Sequence, residues 1–71
     1  MDPHTAYNLP PRPAQRYLRE THGFSCSDEW LRLRARAGDI EHLSLPQGRL
    51  LFSRASLDAY IERIRVKAQA S

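Results

Sequence analysis

Arginine is the residue type with chemistry to offer in this sequence. Ten of its eleven basic residues are arginine, and the guanidinium is a planar fork that fits phosphates and base edges. The densest set lies in residues 23–40, GFSCSDEWLRLRARAGDI, where Arg32, Arg34 and Arg36 alternate with Leu31, Leu33, Ala35 and Ala37. Alternation alone fits a strand with one charged face. The flanks favour a helix. Ser25 and Ser27 are good N-caps, Asp28 and Glu29 complement the dipole in a first turn, and Gly38 is a natural stop.

A helix sorts these side chains by angle. Arg32 and Arg36, four apart, share a face with Glu29 one turn earlier. Leu31 and Ala35 form an inner face, Trp30, Leu33 and Ala37 a flanking stripe, and Arg34 projects elsewhere. Two readings stand for the arginine face: a surface aimed at something negative, or a solvated face with a Glu29–Arg32 pair worth tenths of a kcal/mol. Trp30 is expected to pack in the core, since aromatics carry much of a small core's burial. If exposed, Trp30 and Leu33 would instead form an anchor for a partner protein.

Other chemistries lack their constellations. Cys26 is the sole cysteine, so no internal disulfide forms. His4, His22 and His42 stand at no paired-ligand spacing, so neither a metal nor a cofactor is expected. No nucleophile–base pair, carboxylate dyad or phosphate loop occurs, and His22, His42 and Ser44 read as surface polar residues. A non-catalytic protein is expected. No apolar run approaches the ~20 residues of a membrane span and no signal peptide is visible, so a cytoplasmic protein without membrane contact is expected.

The elements that must position the arginines follow from the rest of the chain. With 71 residues there is one domain, and such a domain buries only about 60% of its unfolded surface. Residues 1–12 hold Pro3, Pro10 and Pro11 and read as an extended or disordered arm. A domain spans 13–65. Pro13 opens a short amphipathic helix that places Ala14, Tyr17 and Leu18 on one side and Gln15, Arg16, Arg19 and Glu20 on the other, ending near Gly23. After the arginine helix come two apolar-rich segments, 42–45 and 49–52. Pro46-Gln47-Gly48 between them reads as the turn of a β-hairpin. Ser53 caps a last helix in which Leu57, Tyr60, Ile61 and Ile64 recur at helical spacing. Residues 66–71 read as a frayed tail. The fold class is small α+β, mostly helical. Its order of helix, turn, helix, hairpin, helix is that of a winged helix-turn-helix, whose second helix enters the major groove.

The same residues resemble the excisionase-type, AlpA-like branch of the MerR-like winged helix-turn-helix proteins. Pro13-Ala14-Gln15-Arg16-Tyr17-Leu18 is similar to the family's first helix and Ser27 to its recognition-helix cap. Arg36-Ala37-Gly38-Asp39-Ile40 resembles the basic-small-Gly-acid-apolar stop, Gly48-Arg49 the wing, and residues 54–61 the Arg-x-x-Leu-Asp-x-Tyr-aliphatic ending. The turn from Thr21 to Cys26 is longer than the family's, and Asp28 and Glu29 stand where basic or hydroxyl residues are common.

The resemblance implies a non-catalytic, sequence-specific binder of double-stranded DNA. The foremost role is an excisionase that coats and bends attachment-site DNA beside a tyrosine recombinase (an integrase), with further copies of itself on adjacent sites. A small phage- or island-type transcriptional regulator, or a module docking on an integrase or polymerase, is the alternative. The DNA-contacting set is then Ser27, Asp28, Glu29, Arg32, Leu33 and Arg36 on the recognition helix, Gln47 and Arg49 on the wing, and Arg16 and Arg19 on the first helix. Asp28 and Glu29 keep two readings, dipole complement or acceptor from cytosine N4.

Overall fold

Backbone propensity and capping fix the element boundaries. In a computed structural model, residues 4–70 are described, with side chains over 4–65. Three α-helices and one hairpin follow in the order α1 (Pro11–His22), α2 (Asp28–Arg36), β1 (His42–Leu45), β2 (Arg49–Phe52) and α3 (Arg54–Ala70). The chain is mostly helical α+β, as expected.

The first helix starts two residues earlier than Pro13. Prolines 11 and 13 both lie in its first turn, where N–H groups have no intrahelical partner to lose. The first donor that matters is Ala14, whose N–H reaches the Pro10 carbonyl at 2.9 Å. Gly23 ends the helix at φ 65°, with its own N–H on the Arg19 carbonyl and that of Phe24 on the Leu18 carbonyl. This is a Schellman-type stop that satisfies two carbonyls.

The second helix is capped as its serines and glycine predict. Ser27 accepts from the Trp30 N–H at 3.1 Å, Asp28 and Glu29 fill the first turn, and Gly38 at φ 83° carries the chain out of the helix. In the hairpin, Leu45 pairs with Arg49 and His42 with Phe52, antiparallel. Gln47 (φ 67°) and Gly48 (φ 73°) both adopt the left-handed conformation that reverses the chain. Ser53 and Ser56 cap α3 reciprocally, each side chain accepting from the other's N–H at 3.0 and 3.2 Å.

The core sits where these elements converge. Ala14 and Leu18 meet Leu31 and Ala35 from α2, and Phe52, Leu57 and Ile61 close the cluster. Leu18, Leu31, Phe52 and Leu57 are fully buried, each stabilising by about 1.5–3 kcal/mol relative to exposure. Trp30 packs at the core's edge, its ring 5.3 Å from Phe24 and 5.8 Å from Tyr60. That is the core reading rather than an exposed anchor.

Residues 1–12 read as an extended or disordered arm, and residues 4–10 form that arm, docked on the domain. Leu9 and Phe52 exchange backbone hydrogen bonds of 2.9 and 2.7 Å, so the arm lies along the free edge of β2, and the Ala55 N–H bonds the His4 carbonyl. An unpaired strand edge leaves donors and acceptors unmet, and Leu9 meets those of Phe52. Residues 66–70, expected to fray, continue the α3 backbone. Residues 1–3 and 71 lie outside the described residues. Among the described residues, no helix is long and apolar enough to cross a membrane.

Candidate nucleic-acid interface

The exposed side of α2 is set by its buried side. With Leu31 and Ala35 turned inward, Glu29, Arg32, Leu33 and Arg36 are left exposed on adjacent turns. Together with Asp28 they line one shallow groove of about 370 Å³. Six α2-side residues were expected to touch DNA; five converge here, and the sixth, Ser27, caps the helix that carries them. Among the described residues no acid pairs with Arg32 or Arg36, so the Glu29–Arg32 pair allowed by spacing is not formed. Arg34, expected to project elsewhere, does so. Its guanidinium donates to Asp39 at 3.1 Å, tying the helix end to the loop that follows.

The two acids of the first turn part company. Glu29 is exposed in the groove. Asp28 is half-buried. One of its oxygens lies 3.8 Å from Arg12 Nε, and the other is buried without a hydrogen-bond partner. A buried carboxylate oxygen without a donor costs on the order of 1–3 kcal/mol, and its burial closes it to an approaching base. The dipole role is met by the position of both acids; only Glu29 is exposed for an acceptor role.

A second basic surface runs beside the first. Arg16 and Arg19 border a depression of about 260 Å³ with Arg12, Gln15, Ser25 and Cys26. Gln15 donates to the Cys26 carbonyl, which fixes the long turn between α1 and α2. Arg12 touches both surfaces, since it also approaches Asp28. It was absent from the expected set because the helix was expected to begin at Pro13. With Pro11 as the first helical residue, Arg12, Arg16 and Arg19 fall at i, i+4 and i+7, one exposed stripe. Gln47 and Arg49 are exposed at the hairpin turn, and neither lines the α2 groove.

A polar cluster centred on Asp58 has a structural task. Asp58 accepts from Tyr17 Oη at 2.8 Å and from His22 Nε2 at 2.7 Å, and pairs with His4 Nε2 at 3.1 Å. Burial would raise its pKa, but hydrogen bonds from His22 and Tyr17 and the charges of His22 and His4 outweigh this and hold it below the ordinary value. Burial first, and then the bond and charge of Asp58, push the Tyr17 hydroxyl up. The expected surface role of His22 is thus corrected: with Asp58 it joins α1, α3 and the arm. His42 is likewise engaged, Nδ1 donating to the Ile40 carbonyl at 2.9 Å. Burial, followed by the charge of Asp28, raises the Cys26 thiol, the opposite of a reactive thiolate.

Another depression, of about 450 Å³, lies between residues 38–42 and α3. Its strongest donors are already spent, Arg63 on the Asp39 carbonyl and His42 on Ile40. Among the described residues, no group of three or more His, Cys, Asp or Glu is placed to hold a metal ion.

The chemistry on offer is therefore concentrated on α1 and α2: five exposed arginines, two exposed acids (Glu20 and Glu29) and one exposed leucine. No family model, curated protein or solved structure matches the chain.

Proposed function

We propose that this protein is a non-catalytic, sequence-specific reader of double-stranded DNA, built as a winged helix-turn-helix. The observation that carries the reading is the convergence of Glu29, Arg32, Leu33 and Arg36 in one exposed groove on α2, with the Arg12, Arg16 and Arg19 stripe beside it. A major groove about 12 Å wide admits one helix. With α2 in it, Arg32 and Arg36 reach guanine O6 and N7, and Glu29 reaches the amino group of cytosine. Arg12, Arg16 and Arg19 face the phosphates that flank the groove, and Ser27 can donate its hydroxyl hydrogen there while accepting from Trp30. Arg49 and Gln47 reach backbone or minor groove from the hairpin.

The role we assign is that of an excisionase, a factor that binds and bends attachment-site DNA to assist a tyrosine recombinase. The support is the resemblance of the ordered segments, together with a net charge of only +3. So modest a charge gives one copy weak non-specific affinity, which suits several copies side by side on a longer site. Transcriptional regulation by the same contacts is the alternative.

Selection of bound duplexes from a random DNA pool, at two salt concentrations, tests the reading. An enriched motif whose affinity falls steeply with salt is expected. No enrichment, with binding that vanishes at moderate salt, would overturn it and put docking on an integrase or polymerase first.

A further inference from the structure

The α2 groove holds one side chain that hydrogen bonding to DNA leaves unexplained. Leu33 is 51% exposed, and among the described residues it shares that state with only one other large hydrophobic, Leu43. It adds little to the core, because the inward face of α2 belongs to Leu31 and Ala35. It sits one turn from Glu29 on one side and from Arg36 on the other, next to Arg32, all in the same groove. Leu43 has no such setting; it lies on β1, opposite Leu51.

A leucine offers neither donor nor acceptor, so whatever it recognises is apolar. The floor of a major groove presents one apolar group, the 5-methyl of thymine. We infer that Leu33 reads a thymine methyl, so that the site contains a thymine next to the guanine bound by Arg32 or Arg36. This rests on the DNA reading above and adds to it the identity of one base.

Replacing thymine by deoxyuracil deletes that methyl and changes nothing else on the base-pair edges. The test takes the duplex recovered from selection and substitutes deoxyuracil at each thymine in turn. At one position the wild-type protein should bind about fourfold more weakly, the affinity equivalent of one buried methyl. Leu33→Ala should bind the thymine duplex more weakly by at least that factor and lose the sensitivity to deoxyuracil at that position. Its melting temperature should equal that of the parent, since Leu33 is outside the core. Tight binding with equal affinity for every deoxyuracil duplex, a motif without thymine, or an undiminished response in Leu33→Ala would each overturn the Leu33 assignment alone. Failure to recover any duplex would overturn the DNA reading, and this assignment with it.

Discussion

Arg32 and Arg16 carry the same charge but should behave differently when removed. Arg32 lies in the α2 groove among base-reading candidates, whereas Arg16 lies on the α1 stripe. Arg32→Ala should cost about 1–3 kcal/mol on the selected duplex and relax preference at one position. Arg16→Ala should weaken all sequences alike and lower the slope of log affinity against log salt by about one. Competition binding against single-base variants, at several salt concentrations, separates the two. Equal weakening of all sequences by both variants would mean that neither arginine reads a base. Asp58 makes a prediction of another kind. Its pKa is lower in the folded protein than its ordinary value of about 4. The stability it contributes is therefore present above the unfolded value and lost as pH falls through the lower folded one. Urea melts between about pH 2 and 6 should show the parent losing stability over that acidic window. Asp58→Asn should be less stable at pH 6 and should lose less on acidification.

At the scale of elements, what was legible in the sequence depended on local signals. The hairpin boundaries, the Ser27 cap and the Leu57–Ile64 stripe are all as read, because a turn, a cap and a period each need only a few neighbouring residues. Two things were not legible. The proline-rich residues 1–12 read as an arm and put the start of α1 at Pro13; Pro11 is equally harmless in a first turn, and that shift brings Arg12 into the basic stripe. The Asp58 cluster joins residues 36, 41 and 54 positions apart in sequence (58−22, 58−17 and 58−4), and no periodicity reports contacts so distant. The Ser53–Ser56 capping pair is local, and its strength can be checked. Ser53→Ala removes the acceptor for the Ser56 N–H at a buried position. It should destabilise by about 0.5–2 kcal/mol, read as a lower urea midpoint with an unchanged slope.

At the scale of the molecule, stability depends on how a thin core is closed. Phe52 is fully buried and is held by backbone pairing on both sides, His42 on one edge and Leu9 on the other. The arm thus serves as a third edge for a two-stranded hairpin, which alone would be marginal in water. It also brings His4 to Asp58 and its carbonyl to the Ala55 N–H at the start of α3. A chain beginning at Pro10 loses all three contacts at once. Three backbone hydrogen bonds and one partly exposed ion pair contribute about 2–5 kcal/mol together. In a domain of this size, each kcal/mol moves the melting temperature by about 4–8 °C. The shortened chain should therefore melt roughly 8–40 °C lower while binding the selected duplex with unchanged sequence preference at low temperature, because every base-facing candidate lies downstream of the cut. A shortened chain that melts with the parent would mean that the arm's contacts add nothing to the fold. A changed preference would mean that the arm itself touches DNA.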